Sequence, residues 1–404
     1  MKGAWPRHVT LVFVGKPASV DAASAASLVA RFVVPLQEVL DKRVVDSLAA
    51  AVTAACMGAQ LTLTSLGRWL PGRALRKHSV KRLDRLLGNR GLHERLHQCW
   101  AALASFPEKG PITLLVDWTG ANDGRQWWVL SAAIAAPGRA IPIYDAIFQK
   151  GHYDSHRARE AFLRQLQRLL PPGRRVIVVA DSGFRVPFLK QLQRRGWDYV
   201  VRLRGRPRLQ LVRTGENLQP ANLHLRAGLT AQTLGPVQLR ETKPFFVQQL
   251  VLFGTRRRGR KAKDRLGRVR RWRRSRHYAR SWREPWVLLS SLSDSPDRIR
   301  HLYSMRMAIE ETFRDIKNPR LGLGFAGSAS RSIQRVRVLW LIGALAARIC
   351  RAAGELAEKL GLVRTLQANT VRHRRVLSLF RAGLLLLSSL LAPLRFPLCA
   401  DLPP

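Results

Sequence analysis

Between residues 45 and 106 apolar positions recur at helical spacing. In the run from Ser79 to Leu87, Val80, Leu83 and Leu87 face one way while Lys81, Arg82 and Arg85 face another. Ser79 is the expected N-cap, because a serine hydroxyl can accept a bond from a first-turn amide. The period changes at Pro111. Apolar runs at 112–116, 127–136 and 140–147 predict three strands, followed by an amphipathic helix at 154–170, a buried strand at 175–180, a helix at 186–195 and a strand at 197–203. Between 205 and 285 both periods weaken, leaving strand candidates at 237–240 and 245–253. Beyond them, 286–292 reads as a strand, 299–317 as one long helix, and 332–394 as helical and apolar.

Three strands, helix, strand, helix, strand is the order of an RNase H-like α/β core, although many α/β domains share parts of it. The chain thus divides into an unassigned extension (1–45), a helical DNA-binding module (46–106), a first core segment (107–204), a β-rich insertion (205–284), a second core segment (285–325) and a helical C-terminal region (326–404). The basic helix containing Lys81, Arg82 and Arg85 has a plainer reading as a solvated face.

Charge favours the DNA-binding reading. Lys and Arg number 70 against 26 Asp and Glu, a formal surplus of +44 that calls for a polyanionic partner. With 46% hydrophobic residues the chain builds real cores, which excludes a disordered basic tail. The surplus is densest at 256–280, where 14 of 25 residues are Lys or Arg and only Asp264 is acidic. Arg256, Arg257, Arg258, Arg260 and Lys261 are expected to contact DNA from a loop of the insertion, the alternative being a solvated loop. The longest apolar stretches, 339–347 and 382–394, are shorter than a membrane span, and residues 1–16 lack a secretory pattern. A cytoplasmic, nucleoid-associated protein without a membrane partner is expected. Cys56, Cys99, Cys350 and Cys399 have no CxxC spacing and read as core thiols.

Acidic residues are scarce, so their placement is informative. Asp117 ends the apolar run LLVDWTG and Asp181 ends VIVVADSG, each at the C-terminal end of a predicted strand, where sites of α/β folds assemble. A turn or cap aspartate is the plainer reading of either one alone. On a helix over 299–317, Tyr303, Arg306, Glu310 and Lys317 fall within an arc of roughly 60°, with Leu302, Ile309, Phe313 and Ile316 on the adjacent stripe. Glu311 points elsewhere, so the wheel selects Glu310. An ordinary surface glutamate among cations is the alternative.

Three carboxylates from two strand ends and a helix match the needs of two Mg²⁺ ions, with Mn²⁺ as a substitute. Such ions take hard oxygen ligands and can clamp the attacking and leaving oxygens of a phosphoryl transfer. Asp117, Asp181 and Glu310 are the expected metal ligands and catalytic residues. Tyr303, Arg306 and Lys317 would then touch flanking phosphates.

These motifs resemble a family, the DDE transposases of bacterial insertion sequences, and within it the IS-four family. Its hallmark of Tyr, two residues, Arg, three residues, Glu, six residues and Lys matches Tyr303, Arg306, Glu310 and Lys317. LLVDWTG, VVADSGFRVPFLKQLQRRGW, EPWVLLSSL and YSMRMAIEETFRDIKNPRLGLGF resemble the blocks around its three acids. LTLTSLGRWLPGRALRKHSVKRLDRLLGNR and QANTVRHRRVLS resemble the branch containing the transposase of the tetracycline-resistance composite transposon. The resemblance spans about 61–380. It implies an RNase H-like core with a β insertion and a cut-and-paste reaction on double-stranded transposon ends and target DNA. Hydrolysis frees a 3′-hydroxyl, which attacks the opposite strand to form a hairpin; the hairpin is reopened and joined to target. A homodimer in the synaptic complex is implied. So is a tryptophan that holds a flipped base, matched by position to Trp286, with Trp282 a weaker candidate and a buried strand tryptophan the alternative.

Two other functions fit part of the pattern. An RNase H-like nuclease or resolvase would cut DNA without strand transfer, and an inactive, transposase-derived repressor would bind without cutting.

Overall fold

The described residues open with α1 (Ala22–Val33) and a 3-10 turn (Val34–Glu38), and the helical periodicity of 45–106 is realised as α2 (Lys42–Cys56), α3 (Leu63–Trp69), α4 (Arg76–Leu87) and α5 (Arg90–Leu103). Then follow β1 (Ile112–Gly120), β2 (Trp127–Ala136), β3 (Arg139–Gln149), α6 (His156–Leu169), β4 (Val176–Ala180), α7 (Val186–Gln193) and β5 (Asp198–Arg202). The next segment holds β6 (Leu209–Leu211), β7 (Asn217–Leu218), α8 (Pro220–Arg226), β8 (Gln232–Leu239) and β9 (Phe245–Phe253). The last holds β10 (Trp286–Ser290), α9 (Pro296–Ser304), α10 (Met307–Lys317), α11 (Ile333–Lys359) and α12 (Leu379–Leu391). This computed structural model describes residues 22–122, 124, 126–205, 207–240, 244–254, 268–269, 272–273, 284–368, 370–371 and 373–391, except the side chains of 22–24, 220 and 221.

Two expectations are corrected. Ser79 does not cap α4: it is buried within a helix that begins at Arg76, because nothing in Arg76-Lys77-His78 opposes an earlier turn. The helix expected over 299–317 is two helices, with Met305 and Arg306 in a turn closed by bonds to Leu302 O (3.2 Å) and Tyr303 O (3.1 Å). A single wheel therefore cannot relate Tyr303 to Glu310.

The described residues of Met1–Lys109, Asp117–Pro171 and Ala308–Pro404 form one compact unit. Its strands run in the order β3–β2–β1, with β2 and β3 an antiparallel hairpin. α11 supplies much of the core, burying residues from Val336 to Ala357, and packs on α12, α2 and β3. The extension that the sequence left unassigned contributes α1, which buries Ala25, Leu28, Val29 and Val33. Cys56, Cys99 and Cys350 are buried thiols, as expected; Cys399 lies outside the described residues.

Asp145 on β3 is a buried carboxyl in this core. Its Oδ2 accepts the Trp340 indole N–H at 2.7 Å, and burial pushes its carboxyl up to about 6. The folded protein thus holds a proton between about pH 4 and 6 that the unfolded chain has released, so this group's contribution falls as pH rises through that window. Asp145→Asn keeps the acceptor and removes the charge. Relative to wild type, the variant should gain on the order of 3 kcal/mol between pH 4 and pH 7. Urea midpoints at four pH values check this, and parallel curves would refute it.

The second unit comprises Gly110–Val116 and Pro172–Met307. Its strands run β1–β4–β5–β10–β9–β8–β6–β7. β1, β4 and β5 are parallel and fully apolar at their centres, whereas β10, β9 and β8 join antiparallel. The expected β-rich insertion therefore extends the same sheet. All five residues of both β4 and β10 are buried, as in strands covered on both faces.

Candidate active site

In the second unit, β1 and β4 run in parallel with Val116 opposite Ala180. The next residue along each strand is an aspartate, Asp117 and Asp181. The pairing thus ends one residue before each aspartate. Asp181 opens a tight turn, and its Oδ1 accepts the Gly183 amide at 2.7 Å. A side chain at Gly183 would place its Cβ 3.1 Å from that oxygen, so the DSG sequence is what lets the carboxylate sit here.

Tyr303, near the end of α9, is 4% exposed. Burial raises its hydroxyl's pKa; Arg306, Arg202 and Arg204 pull it back down, and Asp181 adds to the rise. These charges therefore act on one phenol. Glu284 bridges two of the cations, reaching Arg202 at 3.6 Å and Arg204 at 3.1 Å. Burial is also the main cause lowering the Arg202 pKa. Trp286 lies in β10, buried edge-on against Tyr303 (4.9 Å between centroids) and tilted against Phe253 (5.6 Å). Arg202, Arg204 and Glu284 were missed in the sequence, where VVRLRGR reads only as a strand ending in a generic basic run.

In the first unit, Asp117 is buried and its Oδ1 accepts the Trp118 amide at 2.8 Å. Lys317, at the end of α10, donates to Thr119 Oγ1 (2.5 Å) and Gly120 O (3.1 Å), which places its ammonium at the strand end that carries Asp117. Thr119 is a further missed residue, although it stands in the LLVDWTG motif. Glu310 is half-buried on the same face of α10 as Lys317, about two turns earlier, whereas Glu311 pairs with Arg314. Ile309, Phe313 and Ile316 are buried, as the expected core stripe requires. Two polar ties fix α10: Thr312 Oγ1 donates to Ala140 O (2.9 Å) and accepts Ala140 N (3.0 Å), and buried Asp315 pairs with Arg139.

Asp117 and Glu310 belong to the first unit and Asp181 to the second. Their donor chemistry fits magnesium, three carboxylates with no thiol or imidazole among them. Among the described residues no group of three or more His, Cys, Asp or Glu is gathered where it could hold a metal ion. The fit therefore rests on donor type.

Lys81 and Arg85 are exposed on α4, while Arg82 is half-buried and donates Nε to Ser47 Oγ at 3.1 Å. Arg43, Arg82 and Arg85 line a groove of about 500 Å³. Arg256, Arg257, Arg258, Arg260, Lys261 and Trp282 lie outside the described residues. Among those described, no helix is long and apolar enough to cross a membrane.

Compared with known families, residues 108–349 match the transposase DDE domain. No curated protein matches the chain. Among solved structures, the cryo-EM structure of a piggyBac transposase synaptic complex with hairpin DNA is similar at 11% identity and a TM-score of 0.41, over 95% of this chain and 74% of that one. A likeness so distant carries no argument about fold or function.

Proposed function

The chain belongs to the transposase DDE domain family, metal-dependent enzymes that cleave and move DNA, and from there we propose that it excises and inserts an insertion sequence by the hairpin route of the IS-four family. The observation that carries the reading is the parallel register of Val116 with Ala180, each followed by an aspartate. The strand order β3–β2–β1–β4–β5 supports an RNase H-like core.

Asp117, Asp181 and Glu310 would hold two Mg²⁺ ions, which when bound activate water and neutralise charge on the transferring phosphoryl group. The remaining work falls to this chain's own side chains. Arg306, Arg202 and Arg204 present guanidinium groups to the DNA backbone beside Asp181, and planar forks suit phosphate oxygens. Lys317 places one ammonium at the end of β1 and is held there by Thr119. The Tyr303 hydroxyl stays protonated at neutral pH, since burial raises its pKa, and so donates a hydrogen bond to a phosphate oxygen. Trp286 backs that phenol from within the sheet. Lys81 and Arg85, with the basic run at 256–280, supply contacts along the duplex, and a homodimer brings two transposon ends together.

The test is a single cleavage experiment. Purified protein, Mg²⁺ and a labelled duplex carrying the inverted repeats that flank its coding sequence should yield nicks, hairpins and joined products. Cuts without hairpins or joining would assign a nuclease, and binding without cuts a repressor.

A further inference from the structure

An aromatic cluster lies on the sheet face opposite Asp117. Successive residues of a strand point to opposite faces, so Trp118 is directed away from the side that carries Asp117 and Thr119. There it meets Phe148 at 5.6 Å and Tyr153 at 5.3 Å between ring centroids, and Tyr153 covers Trp128 at 3.9 Å. Trp118, Trp128 and Phe148 are half-buried, whereas Tyr153 is 44% exposed. The indole N–H groups of Trp118 and Trp128 are buried with no hydrogen-bond partner among the described residues.

The backbone beside that ring is held in a defined turn. Asp154, next to Tyr153, has φ of +53°, a left-handed turn conformation that aspartate adopts more readily than most side chains. Arg159, itself buried, fixes it by donating to Asp154 O at 2.8 Å and pairing with its carboxylate. Ser155 then caps α6 by accepting the Ala158 amide at 3.1 Å. The Asp154 charge is neutralised, the first turn of α6 holds no acid, and Lys150, His152, His156 and Arg157 are exposed around Tyr153. An exposed ring with the cations Lys150 and Arg157 nearby in the chain matches a nucleotide, base on the ring and phosphate on the rim.

We propose that Tyr153, backed by Trp128 and Trp118, is a stacking platform for an unpaired DNA base. The proposal rests on the reading of the chain as a DNA-acting enzyme. Stacking tolerates any base, so the platform recognises the unpaired state of a strand and not its sequence.

The test uses the full chain and two labelled duplexes of one sequence, one fully paired and one with a short unpaired bubble containing 2-aminopurine. Wild type should bind the bubble about tenfold more tightly, the effect of one base–aromatic stack, and should quench the 2-aminopurine. Tyr153→Ala should remove both the preference and the quenching while leaving affinity for the paired duplex unchanged, and Tyr153→Phe, which keeps the ring on Trp128, should retain both. Equal loss on the two duplexes, no loss on either, or no quenching by wild type would overturn the platform alone. Failure of wild type to bind either duplex would instead overturn the DNA-acting reading itself.

Discussion

Replacing Asp117, Asp181 or Glu310 by alanine is expected to lower strand cleavage at least about a thousandfold, roughly 4 kcal/mol of transition-state stabilisation, while changing DNA affinity only a few-fold. The two effects separate because these carboxylates would hold metal, whereas the guanidinium and ammonium groups beside them meet phosphate. Glu311 is the internal control. It adjoins Glu310 in sequence but pairs with Arg314 on a partly exposed surface, and such pairs contribute about 0–1 kcal/mol. Glu311→Ala should therefore keep near-normal cleavage. Gel quantification of nicked product, with affinity measured on the same variants, decides the matter. An essential Glu311 with a dispensable Glu310 would mean that the wrong face of α10 has been assigned.

The strands around these acids were legible in the sequence because parallel strands buried on both faces read as unbroken apolar runs, and the run ends fall next to Asp117 and Asp181. Burial on α10 was legible for a similar reason, since Ile309, Phe313 and Ile316 repeat at helical spacing. The break at Met305–Arg306 was not. Neither residue is a helix breaker, and both sides of the turn keep a helical pattern, so periodicity has nothing to register there. Arg202, Arg204 and Glu284 were hidden for another reason. In a chain with 70 basic residues a pair of arginines carries no signal until a fold places them around one buried phenol. Thr119 was hidden because its role appears only when Lys317, almost two hundred positions later, reaches its hydroxyl.

Trp286 separates packing from recognition most sharply. The sequence resemblance gives it a flipped base to hold, whereas in the folded chain its indole is 8% exposed, edge-on to Tyr303 and tilted against Phe253. For a base to stack on it, the ring would first have to leave those contacts. The expected result of Trp286→Ala is therefore a stability loss of about 3–5 kcal/mol, as for other large buried aromatics, seen as a lower melting temperature. Tyr303 would lose the surface that holds its hydroxyl near Asp181, so nicking, hairpin formation and joining should fall together. Trp286→Phe keeps an aromatic edge for Tyr303 and should recover most of the activity at every step. The opposite pattern is equally readable. Normal melting and normal nicking with a selective hairpin defect, relieved by an abasic site at the flipped position, would show that the ring leaves the core to take a base, since extrusion then costs less.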